Sequence, residues 1–174
     1  MALNFDSRIS AFEQLGLWLE HFLKEVENNR FTDDFNSEFQ AIIERQSREN
    51  GWFTQYNIYS SLAAIRDNLQ AESLNNLRFV YGNRIATSWQ EKIVAVVTGA
   101  FFPLVSFYDF MVVLLTGNVL QIKLHADDKL LLPKIAQKLM EIEPDFSEKI
   151  QFVDQLHDFE RVIITEENGH SEVL

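Results

Sequence analysis

At 174 residues the chain is long enough to bury one sizeable core and too short for two large domains. Hydrophobic residues at 47% and aromatics at 13%, with only six glycines and three prolines, exclude a disordered or repetitive chain. A formal charge of −11, with no cluster of Lys and Arg to offset it, argues against nucleic-acid binding, and the absence of cysteine excludes disulfides, thiolate metal sites and cysteine nucleophiles.

The first 25 residues carry acids among their apolar positions and lack the basic start and continuous apolar run of a signal peptide. From Phe5 to Val26 the residues Ile9, Phe12, Leu15, Leu19, Phe22, Leu23 and Val26 recur at three and four, which predicts an amphipathic helix capped by Asp6 or Ser7. A second helix is expected from Asp33 or Asp34 to Arg48, with Phe35, Phe39, Ile42 and Ile43 on one face and its acidic start at the positive end of the helix dipole. Thr54 caps a third, whose stripe is Ile58, Tyr59, Leu62, Ile65 and Leu69, and residues 72–81 add a short fourth.

Beyond Gly82-Asn83 the pattern changes. Ile93–Val97 is a short β-branched run of the kind a strand covered on both faces displays. A helix from Leu104 to Leu115, a strand from Val119 to Leu124, a helix from Asp127 to Ile142 and strands at Ile150–Val153 and Val162–Thr165 follow. The apolar stretch from Val94 to Leu124 is broken by Gly99, Asp109, Gly117 and Asn118, so it reads as buried strand and helix with no membrane span, and a soluble cytoplasmic protein is expected. Strands separated by helices at this spacing imply right-handed crossovers. The expected fold is therefore α/β, with an N-terminal helical region (1–90) packed on a partial doubly wound parallel sheet (91–174), the two forming one compact unit. The tail from Asn168 to Leu174 reads as a short, frayed polar end.

Four segments, ENGWFT (49–54), VVTGAFFPLVSFYDF (96–110), LLTGNVLQIKLHADDKLLLP (114–133) and EIEPDFSEKIQFV (141–153), together resemble the LuxC-type acyl-CoA reductase family of the aldehyde dehydrogenase superfamily. The resemblance implies half of an aldehyde-dehydrogenase-like Rossmann domain, in which the loop Thr98, Gly99, Ala100, Phe101 and Pro103 lies beneath a nicotinamide. Lys123 then reaches the adenosine ribose of NADP or NAD. Family enzymes reduce a fatty acyl thioester, acyl-CoA, by cysteine attack and hydride transfer. Ligands of open α/β sheets bind outside the carboxyl ends of the strands, which is where these residues fall.

The chain departs from that family in three places. Phe101 stands where the family has an asparagine whose amide holds the developing oxyanion, and a benzene ring donates no such bond. Thr165-Glu166-Glu167 replaces a small-residue turn beside the cofactor, putting two carboxylates where they repel a dinucleotide phosphate. No catalytic cysteine is present, so the expectation is a homologue inactive alone: a degenerate relative, a protein working with a polypeptide that supplies the missing half, or a piece of a complete reductase. The alternative is a non-enzymatic module that uses its incomplete sheet to join a partner or a second copy of itself as a homo-oligomer.

Other groups carry plainer readings. His125, Asp127 and Asp128 are expected to cap the helix that follows them, and Asp109 to cap or pack. His21, His157 and His170 are scattered, so no metal is expected. The run Glu141, Glu143, Asp145 reads as a solvated helix end, and no G-x-G-x-x-G or phosphate-loop lysine motif occurs.

Overall fold

The computed structural model describes residues 3–86, 90–165 and 171–173. Four helices come first: α1 (Phe5–Glu27), α2 (Asp34–Glu49), α3 (Gln55–Asn68) and α4 (Ala71–Ala86). After them run β1 (Ile93–Val97), α5 (Phe107–Leu115), β2 (Val119–Lys123), α6 (Leu131–Ile142), a 3-10 turn at Pro144–Glu148, β3 (Ile150–Phe152), β4 (Arg161–Thr165) and β5 (Ser171–Val173). The architecture is α/β, a helical region against a partial Rossmann-like sheet.

Local chemistry sets the helix starts. Asp33 accepts the Asn36 N–H at 2.7 Å and Thr54 the Asn57 N–H at 3.1 Å. The cap of α1 is Asn4, which accepts the Ser7 N–H at 2.9 Å, and not Asp6 or Ser7, which lie in the first turn. The fourth helix extends to Ala86, past the expected end at 81, because Gly82 and Asn83 do not break it. Two helices begin later than their apolar patterns suggest. Leu104 has φ of 59°, a left-handed conformation that no helix accommodates, so α5 waits for Phe107. A turn at 126–127 and a bend at 129–130 come first, so α6 starts at Leu131.

The sheet order is β3-β2-β1-β4-β5, with β1 parallel to β2 and β4, and β2 parallel to β3. The last strand is antiparallel: Ile163 faces Val173 and Thr165 faces Ser171. Part of the expected frayed tail is thus ordered as a strand. It supplies partners for an edge of β4 that would otherwise stand open, a role that three residues of mixed polarity do not announce.

The crossovers β1-α5-β2 and β2-α6-β3 advance in the same direction, so right-handedness puts both helices on one face. Val94, Val96, Leu120, Ile122 and Ile150 point into that face and share a single apolar cluster with residues of α1, α3, α5 and α6. Helix α1 lies across α5 and α6, with the fully buried ring of Phe12 edge-on to Phe110 (6.4 Å) and Phe146 (5.9 Å). Gly16 lets α1 approach the end of α3: a Cβ there would stand 2.8 Å from that of Leu69. One core therefore runs through both regions.

The opposite face carries Ala95 and Gln121. The segment 153–160 runs back across it, tied by the Val153 N–H to Ile122 O (3.0 Å), the His157 N–H to the Gln121 side chain (2.7 Å) and the Glu160 N–H to Ile93 O (2.9 Å). This irregular segment, bent at several residues and left-handed at Asp158, returns the chain from the end of β3 to the start of β4.

Candidate functional site

At the carboxyl ends of β1, β2 and β3 the loops diverge around a cleft of about 490 Å³. Pairing of Val97 with Lys123 and of Ile122 with Phe152 aligns the three strand ends. The polar groups in the cleft wall are Thr98, Lys123, His125, Lys129 and Asp154, over an apolar floor that includes Ile122 and Phe152. Thr98 pins the wall: its N–H donates to Lys123 O (3.1 Å) and its hydroxyl accepts the His125 N–H (2.8 Å). Ala126 and Lys129 also border a second hollow of about 270 Å³, whose other side is α2 with Arg45, Gln46 and Glu49. Gln46 fixes that partition by donating to Asp127 O at 2.7 Å.

The electrostatics of the cleft stand out against the rest of an acidic chain. Of seven lysines, five are held by carboxylates: Lys24 by Glu20, Lys92 by Glu160, Lys134 by Glu38, Lys138 by Glu141 and Lys149 by Glu91. The remaining two, Lys123 and Lys129, have no carboxylate within ion-pair distance among the described residues, and both line the cleft. Asp154 is the one acid among its described lining residues. Lys123 at the end of β2 and Lys129 in the loop that follows it, with no described carboxylate partner, make a place that attracts an anion.

The loop expected to accompany them divides. Thr98 and Lys123 are brought together at the cleft, while Gly99, Ala100, Phe101 and Pro103 are not among its described lining residues. Gly99 sits where β1 and β4 part, and a Cβ on it would meet the Phe101 ring at 3.1 Å and Thr165 O at 3.2 Å. The ring of Phe101 thus folds over Gly99. Ala100 packs against the core and Pro103 is buried. Beside them Thr165 donates to Asp109 Oδ2 (3.0 Å) and shares a hydrogen bond with Ser106 (3.1 Å), which locks the start of α5 to the end of β4. Asp109 serves packing between these elements. Glu166, Glu167 and His170 lie outside the described residues.

The expected helix cap at His125, Asp127 and Asp128 is not formed. Helix α6 has Leu130 at its cap position and no side-chain cap bond. His125 instead folds its own loop, accepting the Asp127 N–H on Nδ1 at 3.2 Å. Asp128 turns inward, 5% exposed, where Oδ2 accepts the Leu104 N–H at 3.4 Å and Oδ1 has no partner. Burial pushes this carboxyl up to about 7, against the smaller opposing pull of the Leu104 N–H.

The sequence reading missed Lys129, Phe152 and Asp154 as cleft residues. The available signal was the strand-end rule applied to β3 as well as to β1 and β2; for Lys129 the signal was its spacing six residues beyond Lys123, across one turn. Among the described residues no three His, Asp or Glu side chains converge as metal ligands, and no helix is long and apolar enough to cross a membrane. Comparison of the chain with protein-family models, with curated proteins and with solved structures finds no match in any of the three.

Proposed function

We propose that this chain is a nucleotide-binding scaffold, a relative of the cofactor-binding half of LuxC-type acyl-CoA reductases, that holds an NADP or NAD phosphate or ribose at the cleft and performs no acyl transfer by itself. The observation that carries the reading is that Lys123, at the end of β2, and Lys129, in the loop that follows it, have no carboxylate partner among the described residues, while the other lysines are neutralised. The cleft falls within the ~300–1,000 Å³ typical of small-ligand sites. Bound there, a nicotinamide cofactor would supply hydride chemistry; the residues present would supply cations, the Thr98 hydroxyl and an apolar floor. A thiol nucleophile is absent from the sequence, and the Phe101 ring offers no oxyanion donor. Binding is expected to be weak and salt-sensitive, because no glycine-rich cradle of backbone N–H groups supports the lysines.

The test is titration with NADPH and NADH at low and high salt, in wild type and in Lys123→Ala and Lys129→Ala. Each substitution is expected to weaken binding severalfold, and salt to do the same. Binding indifferent to both lysines would sink the reading, as would aldehyde released from acyl-CoA by the purified chain alone.

A second reading, self-association, is favoured by one observation. Helices α4 and α5 bound two adjoining apolar grooves that share Leu77, Tyr81 and Met111, and no Asp, Glu, Lys or Arg is among the described residues lining either. Val80 and Val112 beside them are more than half exposed. Sedimentation of wild type and Val112→Glu decides this reading: a monomer in both refutes it.

A further inference from the structure

Two loops meet beside the cleft, 98–106 after β1, which lines it through Thr98, and 124–130 after β2, which lines it through Leu124, His125, Ala126 and Lys129, and two bonds join them. One is at the mouth, from the His125 N–H to Thr98. The other is behind it, from the Leu104 N–H to Asp128. The second is an unusual fastening. Leu104 is buried in a left-handed conformation, φ 59°, which a leucine does not adopt unaided. Its partner is a carboxyl that is 5% exposed, accepts this one long bond and leaves its other oxygen without any.

A neutral carboxyl tolerates such a site, since it gives up few hydrogen bonds on leaving water. An ionised one does not, because a buried carboxylate needs several donors or a cation. Among the described residues no compensating charge reaches it. On its own loop are His125, Asp127 and Lys129; from α2, Arg45 and Glu49 face Asp127 and Lys129; from the loop after β1 only a backbone N–H arrives. Burial and that N–H are the influences acting on the carboxyl.

We infer that Asp128 is a proton-dependent latch on the cleft: protonated, it holds Leu104 and keeps the two loops closed; ionised, it draws water in, parts the loops and loosens the wall that sets Thr98 beside Lys123. The latch itself stands on the loop geometry, while its effect on a ligand rests on the nucleotide reading given above. Asp128 is a positioning residue, and neither touches the ligand nor takes part in chemistry. Raising the pH through neutrality should therefore weaken anion binding and free the Leu104 amide.

Three measurements test this, two of them independent of any ligand. Carbon NMR of the Asp128 carboxyl should show a midpoint near 7, where a midpoint near 4 overturns the latch. Hydrogen exchange at the Leu104 amide, corrected for its intrinsic pH dependence, should quicken severalfold from pH 6 to pH 8 in wild type. In Asp128→Asn, which keeps the oxygen acceptor and cannot ionise, it should not change; equal pH profiles overturn the proposal. Affinity for NAD+, whose diphosphate keeps its charge over this range, should fall severalfold from pH 6 to pH 8 in a His125→Gln background, which removes the imidazole from the comparison. The fall should vanish when Asp128→Asn is added. If NAD+ affinity ignores pH while the Leu104 amide obeys it, the control of the cleft is refuted. Failure of NAD+ to bind at any pH refutes the nucleotide reading, and the amide then judges the latch alone.

Discussion

Glu25 in the helical region and Asp128 in the strand-end loops are both 5% exposed, yet their carboxyls shift in opposite directions. Burial pushes Glu25 up, but it accepts the Thr32 N–H at 2.8 Å, the Thr32 hydroxyl and the Asn36 amide at 2.6 Å, with His21 at 3.2 Å, and these together hold it below its ordinary value. Asn36 is itself held by the Trp18 indole N–H at 2.8 Å. Asp128 meets one long bond and is raised. Two differences separate them: the Asp128 carboxyl is packed more deeply, and several donors are aimed at Glu25 where Asp128 meets one. The helical region is built to hold a charge, and the loops around the cleft are built to hold a neutral group in its place.

The largest expected effect is the one both regions share. Phe12 is fully buried between Phe110 and Phe146, so Phe12→Ala should cost about 3–5 kcal/mol, and denaturant should unfold the variant in one transition. Two separate transitions would show that the regions stand apart and that the two carboxylates belong to independent units. Next is the pH dependence of stability. Asp128 rises from 3.8 to about 7 on folding, so its contribution is complete below 3.8 and is lost as the pH climbs through about 7. At ~1.4 kcal/mol per unit this is on the order of 4 kcal/mol. Thermal melts should show Asp128→Asn more stable than wild type at pH 8, with the gap closing toward pH 5. Glu25 has the reverse sign, because its folded value is lowered: its contribution is present above the ordinary carboxylate range and disappears in acid. Glu25→Ala strands the Thr32 N–H and the Asn36 amide, at about 1–3 kcal/mol near neutrality, measured by denaturant midpoint.

The helices and strands were legible because their periodicities are strong: the stripe from Ile9 to Phe22 and the run Ile93–Val97 each permit one reading. What escaped was backbone detail at the loops. The apolar run Leu104-Val105-Ser106-Phe107 looks helical, and only the left-handed Leu104 delays the helix. Asp127 and Asp128 look like caps, but a pattern of polar residues before a helix does not say which of them faces the protein. At the site, Lys123 and Thr98 were expected from the family resemblance together with the strand-end rule, whereas Lys129, Phe152 and Asp154 became neighbours only once the order β3-β2-β1 was known. The consequence of Phe101 was half legible: its lack of a hydrogen-bond donor is written in the sequence, while its position folded on Gly99 is not.

The smallest expected changes in stability separate lysines that hold the fold from lysines with no described carboxylate partner. Lys134 is buried, 2.7 Å from Glu38 and 4.0 Å from the centre of the Phe35 ring, so Lys134→Ala should cost about 1 kcal/mol through lost packing and cation–π attraction. Lys123 and Lys129 are exposed and without an ion-pair partner among the described residues, and removing either should move stability by less than about 0.5 kcal/mol in urea unfolding. A cation that costs the fold nothing when removed, in a chain already carrying −11, is one whose attraction is left for something outside the chain. If Lys123→Ala or Lys129→Ala instead destabilised the protein as much as Lys134→Ala, each would be serving an internal carboxylate, and the contrast on which the proposed nucleotide site rests would disappear.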